Sequence, residues 1–242
     1  MGYLRLNQIS LYKHPMKHLK LLLAAFGVLA LGQTASAQIM YERDFKPVTT
    51  KQYTDVEGSA YLYDDWKPGT VKLTNGAVSS DKMQLKYNVV DDVLTFKDNA
   101  TDKEMAFVQP VYEFSISSLD DFNDKLFVKS YRNGFTGIDG TTVTSFFEVL
   151  ADGKVRLLKR LTKAILENQA YGSATKTLTF NENVKYYLLT NGKAVPVKND
   201  KKSILAALRD KQAELDVYIK TNKVDFKNDA QLGEFIAYYN TL

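Results

Sequence analysis

The sequence contains no cysteine and only two histidines, and these absences exclude most of the common catalytic and metal-binding chemistries. His14 and His18 both lie within the first 37 residues, which have the pattern of a leader. Beyond the leader, Ser-His-Asp and Cys-His nucleophile systems are therefore excluded. Zinc and copper sites of the usual nitrogen and sulfur type and structural disulfides are excluded as well. Asp, Glu, Lys, Tyr and Ser remain for catalysis, and oxygen ligation of calcium or magnesium remains for metals.

The leader, residues 1–37, has the three parts of a secretory signal peptide. The basic residues Lys13, Lys17 and Lys20 precede an apolar run at 21–31. The small-x-small sequence Ala-Ser-Ala then predicts cleavage between Ala37 and Gln38. The apolar run is shorter than the roughly 20 residues that a permanent membrane helix needs. We therefore expect an exported protein, periplasmic or secreted, with no membrane span after cleavage.

The leader also accounts for the net positive charge. The chain has 32 basic and 28 acidic residues, and four of the basic ones lie in the leader: Arg5, Lys13, Lys17 and Lys20. The remainder is therefore electrically neutral, and the sequence pI of about 8.9 reflects the leader. A neutral chain gives no indication of nucleic-acid or anionic-membrane binding.

The residues after the leader predict an α+β fold that is mainly β. Short alternating runs separated by turn residues indicate an antiparallel meander, which forms a curled sheet, a sandwich or a partial barrel. Asn191-Gly192 and Asp91-Asp92 predict hairpins, and Lys67-Pro68-Gly69 predicts a turn. Two short strands are predicted to pair around the residues Asn181 to Asn183.

After Asn199 the apolar period changes from two to about 3.6, which predicts two or three short helices that pack on the sheet. Asn228 and Asp229 are predicted to cap the last of them. The expected organisation is a signal peptide at 1–37, an N-terminal arm at 38–57, a β domain at 58–198 and a helical segment at 199–242. Because Met16 begins a complete signal peptide, residues 1–15 are a candidate upstream start-site artefact.

Four stretches of the sequence resemble a group of exported proteins of Bacteroidota. They are YLYDDWKPGTVKLTNG, SFFEVLADGKVRLLKR, KYYLLTNGKAVPVK and the tail DKQAELDVYIKTNKVDFKNDAQLGEFIAYYN. The likeness extends over most of the chain after the leader and consists of a general frame without a catalytic signature. The resemblance implies export from a Gram-negative cell. It implies no activity, ligand or site residue.

The first of these stretches holds the candidate ligand-binding residues: Tyr61, Tyr63, Asp64, Asp65 and Trp66. Aromatic faces beside carboxylates are what a sugar-binding groove needs. The same residues also suit a strand followed by a turn, and a single tryptophan is more often a core anchor than a ligand platform. The structural interpretation is favoured here.

Three further groups were weighed as candidate sites. The acidic stretch at 120–124 has calcium-ligand types but not the EF-hand spacing, which favours a solvated turn. A basic run consists of Lys154, Arg156, Lys159, Arg160 and Lys163. It forms either an amphipathic helix or a strand with one solvated face, and the preceding Asp-Gly turn favours the strand. The strand glutamates Glu104, Glu113 and Glu148 are the remaining source of a paired-carboxylate site. Their alternation with apolar residues is typical of an outer face.

We therefore expect a binding or structural role in the cell envelope, with an envelope protein or glycan as partner, no cofactor and no catalytic residues. The alternative is an Asp/Glu-dependent protein that binds or hydrolyses polysaccharide. Two carboxylates that face each other in an aromatic groove would favour this alternative.

Overall fold

The computed structural model describes residues 45–48, 53–79, 82–119, 126–169 and 176–242. The predicted signal peptide, with its cleavage site at Ala37 and Gln38, and the acidic stretch at 120–124 lie outside these residues. In the described part of the chain, twelve strands form one curled, unclosed sheet, and three helices follow it. The predicted fold class is confirmed.

The secondary-structure elements follow one another along the chain in two blocks. The strands are β1 (Phe45–Pro47), β2 (Val56–Glu57), β3 (Lys67–Leu73), β4 (Met83–Asn88), β5 (Val93–Lys97), β6 (Glu104–Phe107), β7 (Val111–Leu119), β8 (Leu126–Arg132), β9 (Phe147–Ala151), β10 (Val155–Gln169), β11 (Lys176–Thr190) and β12 (Lys193–Val197). The helices are α1 (Lys201–Leu208), α2 (Gln212–Asn222) and α3 (Asp229–Tyr239).

The sheet is an antiparallel meander with one rearranged end. Its order is β1-β6-β5-β4-β3-β7-β8-β9-β10-β11-β12. The short strand β2 pairs in parallel with Leu178 and Thr179, near the beginning of β11. The predicted Asn191-Gly192 hairpin joins β11 to β12, and both residues have positive φ. This conformation matches the strand twist that a two-residue hairpin needs.

Two turn predictions are wrong. Lys67, Pro68 and Gly69 begin β3, and Gly69 is required there by a close approach, because a Cβ atom would lie 2.0 Å from the carbonyl oxygen of Ser115 on β7. The residues at 181–183 lie inside the continuous strand β11. Each of them pairs with β10, and this pairing overrides their turn propensity.

β10 and β11 form a ribbon that is longer than its neighbours. Each strand has 15 residues, and the two pair along their whole length. A strand of this length spans roughly 50 Å. β9 and β12 have five residues each and flank only the end of the ribbon nearest the β9–β10 turn. The distal half therefore extends past both neighbours.

The helices pack on one face of β9, β10 and β11. Residues from both sides of this contact form one buried cluster: Ala151, Val155, Leu157 and Leu188 from the sheet, with Ile204, Leu208, Leu215, Phe226, Leu232, Phe235 and Ile236 from the helical segment. α3 approaches so closely that a Cβ atom on Gly233 would lie 2.5 Å from the Leu150 carbonyl oxygen. At its other end, the Asn240 amide accepts from Val155 N (2.9 Å) and donates to Val155 O (2.8 Å). α3 is thus fixed against β9 and β10.

A buried ion pair joins two distant parts of the curled sheet. Arg160 of β10 donates to both oxygens of Asp92, which lies in the turn between β4 and β5 (2.7 and 3.2 Å). Arg160 also donates to the Phe146 carbonyl oxygen (2.6 Å), and the Tyr87 hydroxyl donates to Asp92. We call Tyr87, Asp92 and Arg160 the closing centre, because four strands separate β4 from β10 in the sheet order.

The basic run therefore lies on a strand, as the sequence indicated, but its outward face is only partly solvated. Arg160 is 8% exposed, and the side chains of Lys159 and Lys163 are 16% and 9% exposed. Lys163 reaches across the curl and donates to the carbonyl oxygens of Ser59 (3.0 Å) and Tyr61 (2.7 Å). The prediction of a solvated basic face is wrong for these residues, because the curl brings Arg160 and Lys163 against the first half of the sheet, and Asp229 of α3 covers Lys159.

Candidate functional site

The aromatic stretch does not form a single groove. The rings of Tyr61 and Trp66 both face the Lys86 ammonium, with 4.4 and 5.6 Å between nitrogen and ring centroid. These are cation–π distances, so the two rings hold a lysine. Trp66 is partly exposed and belongs to no buried cluster, so its interpretation as a core anchor is wrong. Asp64 and Asp65 are exposed.

Of the five candidates, Tyr63 lines a well-defined cavity in the described part of the chain. This cavity has a volume of about 630 Å³ and lies between the β7–β8 hairpin, β9 and the beginning of α3. Apolar side chains form much of its wall: Leu119, Phe127, Val128, Val149 and Leu150. Glu148, Lys129 and Asp229 bring charge to it, and its volume is typical of a small-ligand site.

Glu148 is the most deeply buried acidic group at this cavity. It is 7% exposed, although it lies in the middle of β9 between Phe147 and Val149. The expectation that this glutamate faces outward is therefore wrong. Its oxygens lie 3.8 Å from Lys159 Nζ and 4.0 Å from Lys129 Nζ, which is too long for a hydrogen bond.

The pKa of the Glu148 carboxyl is raised above its ordinary value. Burial is the main cause, since it disfavours the charged form, and the nearby charge of Asp229 adds to it. Lys129 and Lys159 act in the opposite direction but do not cancel the effect of burial. Glu148 thus keeps its proton to a higher pH than an exposed glutamate.

Asp229 is the second carboxylate at the cavity, and it comes from the helical segment. The side chain of Asn228 caps α3 by accepting from Gln231 N, so Asp229 is free to point to the sheet. It accepts from Lys159 Nζ and from the Tyr186 hydroxyl (2.9 Å). Lys159 Nζ therefore lies within 3.8 Å of both Asp229 and Glu148.

These contacts also shift the pKa values of the two partners of Asp229. Burial lowers the pKa of Lys159, but the hydrogen bond to Asp229 and the charge of Glu148 outweigh burial and raise it. Burial, followed by the hydrogen bond to Asp229, raises the pKa of Tyr186. Lys159 is thus held as a cation and Tyr186 as a neutral donor.

The Tyr131 hydroxyl completes the group of polar atoms. It is buried, and it has no hydrogen-bond partner among the described residues. Burial raises its pKa, and the neighbouring Glu148 carboxylate raises it further, although the two groups do not have the geometry of a hydrogen bond. A buried hydroxyl without a hydrogen-bond partner destabilises the folded state by about 1–3 kcal/mol. We call Tyr131, Glu148, Lys159, Tyr186 and Asp229 the cavity centre. Glu148 and Asp229 line the cavity itself, and the other three lie behind them.

The other glutamates do not join Glu148. Glu104 accepts from the Thr95 hydroxyl at 2.8 Å. Glu113 lines a second cavity of about 290 Å³ together with Arg132 and Asp152. Within the described residues, no group of three or more acidic or histidine side chains is placed to hold a metal ion.

Sequence reasoning missed most of the cavity centre. Asp229 was predicted only as a helix cap, and Lys159 only as part of a basic run. One signal was available, because Glu148 is the only charged residue of the apolar run Phe146 to Ala151. The partner of such a residue comes from an element far along the chain, and alternation within one strand does not identify it.

Comparison of the chain with protein-family models, with curated proteins and with solved structures finds no match. None of the helices in the described residues combines the length and the apolar character needed to cross a bilayer. The geometry of the cavity is therefore the main indication of function.

Proposed function

We propose that the protein binds a ligand in the 630 Å³ cavity and acts in the cell envelope without catalysing a reaction. The cavity centre carries this proposal, because it holds unused hydrogen-bonding capacity between apolar walls. Glu148, which lines the cavity, has only long contacts to its lysines, and the buried Tyr131 hydroxyl behind it has no partner among the described residues. Polar groups of this kind, within an apolar pocket, orient a ligand and give specificity.

The charges at the cavity favour a ligand with no net charge. Two lysines, Lys129 and Lys159, stand against two carboxylates, Glu148 and Asp229. A charged ligand would disturb the pairing of the largely buried Glu148 and Lys159, which is costly. A hydroxyl- or amide-bearing ligand gains hydrogen bonds without this cost, and a glycan or a segment of an envelope protein has such groups.

The location in the cell envelope is supported by the sequence. Residues 1–37 have the pattern of a secretory leader, and the resemblance to exported Bacteroidota proteins favours the same location. The neutral composition after the leader argues against a nucleic-acid partner. Mass spectrometry of the protein taken from an envelope fraction tests this part, and a mature N-terminus at Gln38 is expected.

A cavity-blocking variant tests the binding proposal. Ala230 is exposed at the cavity, so Ala230→Trp places an indole there without removing a buried contact. Ala213→Trp, on an exposed position of α2 that does not line the cavity, is the matched control. Native mass spectrometry of envelope-isolated protein is expected to show a retained molecule in wild type and control and none in Ala230→Trp. Equal retention in all three proteins, or retention in none, would contradict the proposal.

One observation favours polysaccharide binding or hydrolysis as a second candidate. Glu148 and Asp229 lie on the same cavity, and the raised pKa of Glu148 is a property of a general acid. Against hydrolysis, Lys159 Nζ contacts Asp229 and approaches Glu148, which leaves no free carboxylate base. Reducing-sugar release from a polysaccharide panel separates the candidates. Release by wild type that is lost in both Glu148→Gln and Asp229→Asn would establish the hydrolase.

A further inference from the structure

β8 and β9 are neighbours in the sheet, but their pairing is short. The two strands pair at Tyr131 with Glu148 and at Arg132 with Phe147. The pairing stops there, although both strands continue, β8 back to Leu126 and β9 on to Ala151. On their other sides, β8 pairs fully with β7, and β9 pairs with β10.

The unpaired parts of β8 and β9 face each other across a gap between the two strands. On the β8 side it is bordered by residues 128–130, and on the β9 side by residues 149–151. The cavity of about 630 Å³ and the one of about 290 Å³ share Ser130, Val149 and Leu150 in their walls. Because these residues belong to the two borders, the two cavities adjoin along the gap, and we call the gap with both cavities the slot. Val128 at its border is 58% exposed, which is unusual for a strand with neighbours on both sides.

We propose that an extended, uncharged peptide segment of another protein enters this slot and adds a strand between β8 and β9. The inference rests on the proposed function and names the ligand class for the same cavity. The backbone of a strand border carries unpaired N–H and C=O groups, and a peptide strand satisfies such groups by β-augmentation. Here two borders face one another, so one inserted strand satisfies both. Each border has three residues, which corresponds to roughly 10 Å of extended chain.

The side chains of an inserted strand would alternate between two environments. Those on the first face meet the cavity centre and Tyr63, and those on the second meet the Arg132–Asp152 ion pair (2.7 Å). Asp152 also accepts from Arg156 Nε (2.6 Å), and Glu113 lines the same cavity, so Arg132 and Arg156 stand against Asp152 and Glu113 on the second face. This balance selects a segment without charged side chains. Hydroxyl or amide side chains suit the first face, where the Tyr131 hydroxyl has no partner among the described residues.

The test uses a displayed library of nonapeptides built from Ser, Thr, Asn, Gln, Val, Ile, Ala and Gly, selected against the purified protein. The best peptide is then synthesised in two forms, one with ordinary amide bonds and one with N-methylation at alternate residues. The second form keeps the side chains but loses backbone donors, so it distinguishes strand addition from side-chain recognition. We expect N-methylation to weaken binding at least tenfold, and we expect Ala230→Trp to weaken binding of the unmethylated peptide.

Amide hydrogen exchange locates the added strand. In the peptide complex, the amides at 128–130 and at 149–151 are expected to exchange at least tenfold more slowly than in the free protein. The amides of Leu94 and Thr95, in β5 away from the slot, serve as the internal reference and are expected to keep their rates. Failure to select any peptide, equal binding of the N-methylated form, or unchanged exchange at both borders would overturn the inference. If a different molecule is nevertheless retained in wild type and lost in Ala230→Trp, the cavity is a binding site and only the peptide class is wrong.

Discussion

The closing centre and the cavity centre are both built from a buried acid, a basic residue of β10 and a tyrosine, yet they differ in how completely their polar atoms are paired. In the closing centre, Asp92 accepts from both terminal nitrogens of Arg160 and from Tyr87. In the cavity centre, Glu148 has lysines at 3.8 and 4.0 Å, and the Tyr131 hydroxyl has no partner in the described residues. In the first arrangement the acid is fully paired and only Arg160 Nε has no partner among the described residues, whereas in the second the acid itself has no short contact to its lysines and lies at a cavity.

This difference separates a stabilising network from a binding site of similar composition. Buried polar networks stabilise a fold only when their members are satisfied. The closing centre meets this condition, apart from Arg160 Nε, which has no partner among the described residues. Sequence composition alone does not distinguish the two centres, but their pairing does.

The largest expected effect is on the closing centre. Arg160→Met should lower the free energy of unfolding by about 3 kcal/mol, because it leaves Asp92, whose side chain is 20% exposed, without its cation. Arg156→Met, on the same strand, is the control, since Arg156 is 43% exposed and its pair with Asp152 should contribute less than about 1 kcal/mol. Urea unfolding measures both. Equal losses in the two variants would remove the distinction between a buried and an exposed pair.

The two tyrosines should respond differently to loss of the hydroxyl. Tyr87→Phe removes a hydrogen bond to the Asp92 carboxylate and should cost about 1.5–3 kcal/mol. Tyr131→Phe removes a hydroxyl that has no partner among the described residues. The free energy of unfolding of this variant should therefore equal or exceed that of wild type. Thermal unfolding of both variants provides the comparison. A clear loss of stability in Tyr131→Phe would mean that this hydroxyl is satisfied in solution and that the cavity centre is as complete as the closing centre.

The smallest expected effect is a change in pH dependence at Glu148. Because its pKa is higher in the folded protein than the ordinary value of 4.5, the folded state binds more protons than the unfolded state just above that pH. The stabilising contribution of protonated Glu148 is fully present below pH 4.5 and is lost as the pH rises through the raised pKa. Wild type should therefore lose stability relative to Glu148→Gln over this interval.

Urea unfolding at a series of pH values measures this effect. The exposed Glu234→Gln on α3 controls for the loss of one negative charge. If wild type gained stability relative to Glu148→Gln as the pH rose above 4.5, the two lysines would dominate over burial, and the cavity centre would be a satisfied ion-pair network.

Local sequence patterns predicted the elements that depend on local interactions. The Asn191-Gly192 hairpin, the β4–β5 hairpin and the C-terminal helices were all predicted from residues close together in the chain. The turns predicted at 67–69 and at 181–183 failed because distant strands decide the conformation there. Gly69 packs against β7, and β11 continues because β10 pairs with it.

The site was less predictable than the fold for the same reason. Tyr63 was a candidate, but the aromatic stretch that contains it is divided between a lysine-binding pair and the cavity wall. Strand alternation predicted that Glu148 lies on an outer face. This prediction is wrong because the curl of the sheet decides which face is buried. Asp229 reaches the cavity only through the packing of Gly233 and Asn240, which no pattern near residue 229 indicates.

The long β10–β11 ribbon has a consequence for the motions of the molecule. Near the β9–β10 turn the ribbon is covered by α3 and flanked by β9 and β12, whereas residues 164–169 are exposed. Segments with few buried contacts open locally at a lower free energy than the core. We therefore expect the paired strands β10 and β11 to contain two cooperative units. Amides of its covered half should exchange only when the whole protein unfolds, while those of its distal half should exchange through fraying that leaves the cavity intact.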